Sequence, residues 1–167
     1  MPMNKVVAII PARWASTRFP GKALHGIAGK PLVRHVWERC LEADCFDQIV
    51  IATDDMRIAE ACFNFGAEVA VTAADHASGT DRVAEVARKL KKVSLILNVQ
   101  GDEPLVDPTL LESLVRKLKD IPPSRSSPPP HPFLLRSQPA NTMSKLSWTA
   151  TETHFIFPAA SFRFVGE

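Results

Sequence analysis

Six residues near the start of the chain carry side chains suited to an anion site: Arg13, Ser16, Thr17, Arg18, Gly21 and Lys22. Three cations alternate with two hydroxyls and one conformationally free glycine. Such a loop suits a polyanion, most simply a triphosphate. It is not a Walker A loop, which needs Gly-x-x-x-x-Gly-Lys-Ser/Thr, nor a Gly-x-Gly-x-x-Gly dinucleotide fingerprint. A single basic loop residue is often merely solvated. Here all three follow directly on one apolar run, Val6 to Ile10.

A second chemical signal is Asn98-Val99-Gln100-Gly101-Asp102-Glu103-Pro104. Asp102 stands just past another apolar run and offers a hard oxygen ligand. Mg²⁺ is typically held by one or two carboxylates plus substrate phosphates, so Asp102 is the candidate metal ligand. The competing reading is a carboxylate that caps a turn or helix. Glu103 is either a further ligand or a solvated side chain. Gln100 is placed to bond a sugar hydroxyl or carboxylate, or to serve as a structural amide.

The third signal is Asp75-His76-Ala77-Ser78-Gly79-Thr80-Asp81-Arg82. Small donors and acceptors around a glycine let backbone approach a ligand closely. Ser78 or Thr80 alone would equally serve as the N-cap of a following helix. His76 is given no acid–base role.

The elements that must position these residues follow from periodicity. Val6–Ile10 has no polar alternation, which marks a strand buried on both faces and ended by Pro11. His25–Lys30 reads as a turn. Pro31 suits the first position of a helix running through Ala43, with Leu32, Val33, Val36, Cys40 and Leu41 as its apolar face. Gln48–Thr53 is a second strand. Asp54 or Asp55 caps the next helix, Gly66 closes it, and Ile58, Ala59, Cys62 and Phe63 form its stripe. Glu68–Thr72 is a short strand, followed by a helix to about Lys92 and a central strand at Ser94–Val99. Asp107 and Pro108 start a last helix, with Leu110, Leu111, Leu114, Val115 and Leu118 on one face. Strand and helix thus alternate four times in 120 residues. The expected fold is α/β: a Rossmann-like domain with a mainly parallel sheet in three α/β/α layers. In such sheets ligands bind beyond the C-terminal strand ends, where the first two chemical signals fall.

Composition narrows the function classes. Apolar content of 46% and charged content of 23% are ordinary for a globular domain. A net charge of +2 gives no basis for nucleic-acid binding. No apolar run approaches the roughly 18 residues of a membrane span. The N-terminus lacks the features of a signal peptide, so a cytosolic location is expected. Cys40, Cys45 and Cys62 show no metal-ligand spacing and read as reduced thiols.

Taken together, Ile-Pro-Ala-Arg-Trp-Ala-Ser-Thr-Arg-Phe-Pro-Gly-Lys, Ala-Thr-Asp-Asp, His-Ala-Ser-Gly-Thr-Asp-Arg and Asn-Val-Gln-Gly-Asp-Glu-Pro resemble the 3-deoxy-manno-octulosonate (Kdo) cytidylyltransferases, also called CMP-Kdo synthetases. The resemblance covers residues 4 to about 120. It implies CTP and Kdo as substrates, Mg²⁺ as cofactor, and a role in lipopolysaccharide biosynthesis. It implies that Arg13, Ser16, Arg18 and Lys22 hold the triphosphate, with Ala12, Thr17 and Gly21 completing that loop. The same resemblance gives nucleotide and base recognition to His76, Ser78, Gly79, Thr80 and Arg82, and Mg²⁺ to Asp102. Lys22, Arg13 and Asp102 are then the catalytic candidates, Gln100 the sugar-side candidate, and a homodimer the expected assembly.

Residues 121–167 depart from that pattern. They carry eight of the 14 prolines and two of the 18 acidic residues, Glu152 and Glu167. Pro122–Pro132 favours polyproline II or disorder. The tail is expected to be irregular, with Phe155 and Phe157 suggesting one strand fragment. Its composition suits a truncated or frame-shifted member of the family, so activity of the chain itself is an open expectation. Two alternatives stand beside the enzyme reading. One is another sugar nucleotidyltransferase; the other is a non-catalytic nucleotide-binding fragment whose proline segment docks on a partner.

Overall fold

The computed structural model describes residues 5–15, 19–119 and 155–158. Ser16, Thr17 and Arg18 therefore lie outside the described residues, as does most of the tail. In chain order the elements are β1 (Lys5–Pro11), a 3₁₀ turn (Lys22–Leu24), β2 (Gly26–Ile27), β3 (Lys30–Pro31), α1 (Leu32–Glu42) and β4 (Gln48–Thr53). They continue with α2 (Met56–Asn64), β5 (Glu68–Val71), α3 (Gly79–Lys89), β6 (Val93–Asn98), α4 (Pro108–Lys119) and β7 (Phe155–Pro158).

The main sheet has the order β5-β4-β1-β6-β7. Its first four strands are parallel, and β7 adds to the β6 edge antiparallel, with Asn98 opposite Phe155. The two-residue period at Phe155 and Phe157 is thus a strand inside a tail read as irregular. β1 has a strand on each side and helices on both faces, which is why Val6 to Ile10 are at most 1% exposed. Ala8 and Ile10 pack with Val33, Val36 and Cys40 of α1, Ile58 and Cys62 of α2, and Leu111 of α4. Val7 and Ile9 point the other way, onto Val83, Val86 and Ala87 of α3. This alternation makes the three layers. Burying one such Val or Ile side chain contributes about 1.5–3 kcal/mol.

Some sequence expectations shift. Leu41 is 54% exposed and Phe63 is 58% exposed. Each follows a fully buried cysteine, Cys40 or Cys62, and the 100° step per residue turns it off the core face. Leu110 is likewise exposed, one position before buried Leu111. Pro31 is the N-cap of α1 rather than its first residue, because its backbone is held in the β2–β3 hairpin. That hairpin turns at Ala28 and Gly29, both with positive φ (48° and 80°), the signature of a type I′ turn. α3 stops at Lys89 instead of Lys92, because Leu90 is extended and Lys92 takes a positive φ of 58°. Asp55, not Asp54, caps α2, accepting from the Arg57 N–H. All three cysteines are free, and burial pushes the Cys40 and Cys62 thiols up to about 12.

Candidate active site

From β1 the chain steps outward through β4 to β5, then returns to place β6 on the other side of β1. The direction of strand addition reverses there, and a crevice opens beyond the C-terminal ends of β1 and β6. A cleft of about 530 Å³ occupies that position. The loops after these two strands and the start of α3 form its walls.

The first wall is the cationic loop. β1 is pinned on both sides as it ends: Ala12 N–H donates to the Ala52 carbonyl (2.8 Å) and Val99 N–H donates to the Ile9 carbonyl (3.0 Å). Arg13 then faces the cleft. The loop returns at Gly21, whose N–H donates to the Trp14 carbonyl at 3.0 Å. Gly21 has a φ of 71°, and a Cβ there would lie 3.0 Å from the Trp14 ring. Glycine is thus required both for conformation and for space. The following 3₁₀ turn presents Lys22 to the cleft and buries Ala23 against the core.

The second wall is Gln100-Gly101-Asp102. A Cβ on Gly101 would sit 2.5 Å from the Pro11 carbonyl oxygen, so only glycine lets this loop lie against the end of β1. Gly79 approaches the same proline from α3; a Cβ there would lie 3.3 Å from Pro11 Cγ. Two glycines from distant segments thus close on Pro11 and draw their loops together. Across the cleft Lys22 Nζ meets Asp102 Oδ2 at 2.7 Å, with both side chains about half exposed.

The third segment behaves in two ways. Ser78 is the N-cap of α3: its hydroxyl accepts from the Asp81 N–H and donates to Asp81 Oδ2. Arg82 lines the cleft but is only 3% exposed. Its guanidinium pairs with Asp54 at 3.1 Å, donates to Thr72 Oγ1, and donates to the Ala73 carbonyl at 3.3 Å. These contacts tie α3 to the ends of β4 and β5. His76 Nε2 lies 2.6 Å from Glu85 Oε2. Glu85 also accepts from Lys89 Nζ and from the Ala73 N–H. These donors, Lys89 first and then His76, hold its carboxyl down at about 2.

The structure therefore gathers Ala12, Arg13, Lys22, Gly79, Arg82, Gln100 and Asp102 around one cleft. Gly21, His76, Ser78 and Thr80 do not line it; Gly21 shapes the loop, and His76 and Ser78 are engaged around the start of α3. Phe19 and Leu32 line the cleft unforeseen. Phe19 meets the His25 ring edge-on at 5.0 Å. The only sequence cue was an aromatic set between Arg18 and Pro20. Among the described residues there is no cluster of three or more side chains able to bind a metal. The donor set at the cleft still suits Mg²⁺, which needs only one or two protein carboxylates when phosphates and waters supply the rest.

Three comparisons bear on this arrangement. A family model described as Cytidylyltransferase matches residues 7–152. The 3-deoxy-manno-octulosonate cytidylyltransferase of Syntrophobacter fumaroxidans is 54% identical over 117 residues, covering 69% of this chain and 47% of that protein. The protein of the same name from Syntrophotalea carbinolica is 53% identical over 117 residues, 70% of this chain and 46% of that one. A solved structure of CMP:2-keto-3-deoxy-manno-octonic acid synthetase complexed with CTP superposes with a TM-score of 0.70 at 42% identity, over 72% of this chain and 49% of that one. The chain spans about half the length of the curated relatives it matches. With the sheet order, the cleft and the family match in agreement, the chain belongs to the cytidylyltransferase family.

Proposed function

We propose that this chain carries the nucleotide-binding part of a 3-deoxy-manno-octulosonate cytidylyltransferase, which transfers CMP from CTP to the anomeric hydroxyl of Kdo and releases pyrophosphate. The observation that carries this reading is the Lys22–Asp102 contact at 2.7 Å across the cleft. A cation for phosphate and a carboxylate for metal stand side by side in the cleft. The relatives named for this reaction and the CTP complex of a similar structure support the choice of nucleotide and sugar.

In the proposed reaction the anomeric oxygen bonds to the α-phosphorus, and the bond from that phosphorus to the bridging oxygen of the β-phosphate breaks. The hydroxyl proton leaves with solvent, and pyrophosphate departs. Such transfers ask the protein mainly for positioning and charge neutralisation. Arg13 and Lys22 bind the phosphate chain, and Lys22 neutralises charge growing on it in the transition state. The family resemblance gives Ser16, Thr17 and Arg18 a share in holding the phosphates, and Gly21 shapes the turn that presents Lys22. Asp102 would hold Mg²⁺, which when bound supplies charge neutralisation and alignment of phosphate oxygens. Resting, Lys22 and Asp102 neutralise each other. Nucleotide with its metal offers each a new partner of the right sign. Gln100 orients the sugar. His76, Ser78 and Arg82 act on the nucleotide by fixing the start of α3, where Gly79 meets the cleft, and Thr80 in its first turn shares in base recognition.

The proposal places the enzyme in the cytoplasm as a homodimer, with no nucleic acid or membrane partner. No helix among the described residues is long and apolar enough to cross a membrane. A second reading, nucleotide binding without turnover, uses the same cleft and the same Lys22–Asp102 pair. Pyrophosphate release with CTP, Mg²⁺ and Kdo separates the two. Release supports transfer; binding of CTP without release supports the second reading. Stabilisation by GTP alone would contradict both.

A further inference from the structure

The cationic loop is held from outside the cleft by a residue that belongs to none of the motifs above. The Arg57 guanidinium carbon lies 3.4 Å from the centroid of the Trp14 ring, stacked at van der Waals contact. Arg57 is itself held flat by a two-pronged pair with Asp55: Nε to Oδ1 at 2.9 Å and Nη2 to Oδ2 at 2.6 Å. Asp55 is in turn fixed as the cap of α2, accepting from the Arg57 backbone N–H at 2.9 Å. Trp14 is the residue on which the loop closes, through its carbonyl to Gly21 N–H and through its ring against Gly21. It sits between Arg13 and the turn that carries Lys22. A chain of contacts thus runs from the α2 cap, through Asp55, Arg57 and Trp14, to both ends of the loop.

We infer that Arg57 is a positioning residue for the cationic loop: by stacking on Trp14 it sets where Arg13 and Lys22 stand relative to Asp102. Indole is the most favourable aromatic face for a cation and Arg the cation most often found there, and the Asp55 fork leaves the guanidinium plane little freedom to turn away. The Arg57 side chain is 58% exposed, so its removal leaves the core intact. The Asp55 cap also survives, because it uses the backbone N–H of residue 57. The effect on nucleotide affinity rests on the function proposed above; the effect on the loop does not.

The test uses the full 167-residue chain. Limited trypsin cleavage after Arg13 and after Lys22 is followed by mass spectrometry, without nucleotide, in wild type, Arg57→Ala, Arg57→Lys and Trp14→Ala. Cleavage after Arg88, within α3, reports global unfolding. Loss of one such stack should speed cleavage after Arg13 and Lys22 by about three- to tenfold in Arg57→Ala and at least as much in Trp14→Ala. Arg57→Lys, which keeps charge but not the plane, should fall between wild type and Arg57→Ala, and cleavage after Arg88 should be unchanged. The inference is overturned if Arg57→Ala matches wild type at both loop sites, or if cleavage after Arg88 rises in parallel. Protection by Mg–CTP is then measured on the same samples, with the half-protecting concentration expected to rise by the same factor in Arg57→Ala. If CTP fails to protect wild type, the nucleotide proposal falls, while the nucleotide-free comparison still decides the role of Arg57.

Discussion

Lys22 and Asp102 stand eighty residues apart in the chain and 2.7 Å apart in space. Gly101 packs on the Pro11 carbonyl and so holds the Asp102 loop against the end of β1, from which the Lys22 loop departs. Both side chains are about half exposed. Removing either charge should therefore disturb function far more than fold. Lys22→Ala and Asp102→Asn should each change stability by no more than about 1 kcal/mol, since an exposed ion pair contributes little. Each should weaken Mg–CTP binding, and if the chain turns over, lower the rate about 10²–10³-fold. Thermal melts with and without nucleotide, together with pyrophosphate release, separate the two effects.

The glycine contacts make a second prediction. Gly101→Ala drives a methyl to 2.5 Å from a backbone oxygen, which cannot move without displacing β1. Overpacking of this kind costs about 1–3 kcal/mol. Gly26→Ala is the control, because a Cβ there meets nothing within 4 Å. Denaturant titration should show a lower midpoint for Gly101→Ala and a change within about 0.5 kcal/mol for Gly26→Ala.

Arg82 is expected to matter through stability. It is 3% exposed, and its partner Asp54 is 16% exposed at the side chain. Breaking a buried pair from one side leaves an uncompensated charge and costs about 3–5 kcal/mol. Arg82→Met should therefore lower the melting temperature sharply. Arg82→Met combined with Asp54→Leu should recover much of the loss. Equal melting curves for the single and double variants would contradict this account.

Glu85 supplies a pH signature. Lys89, His76 and the Ala73 N–H hold its carboxyl down from the ordinary 4.5 to about 2. The folded pKa lies below the unfolded one, so Glu85 contributes stability above pH 4.5 that is lost as pH falls toward 2. The melting-temperature gap between wild type and Glu85→Gln should close as pH falls from 4.5 to 2. A gap that widens on acidification would be the wrong sign.

Much of the fold was legible because it is local. The unbroken apolar runs Val6–Ile10 and Leu95–Leu97 read as strands covered on both faces, and every residue in them is at most 5% exposed. The cationic loop and Asp102 were legible as chemistry, and the strand ends behind them placed both at one sheet edge. What stayed hidden depends on contacts between distant segments. Arg82 reads as a ligand in its motif; only the β4–β5 register brings Thr72 and Asp54 within its reach. Arg57 reads as a solvated helix residue, and its stack on Trp14 crosses from α2 to the first loop. Leu41 and Phe63 were misplaced because a 3.6-residue period fixes a helix face only to within about one residue.

The measurement closest to the central claim is equilibrium binding of CTP, with and without Mg²⁺, to wild type, Lys22→Ala and Asp102→Asn. Wild type should bind CTP more tightly with Mg²⁺ than without it. Lys22→Ala should bind weakly in both cases, and Asp102→Asn should lose the Mg²⁺ dependence. Mg²⁺-dependent CTP affinity left unchanged by both substitutions would show that the nucleotide sits elsewhere and contradict the account.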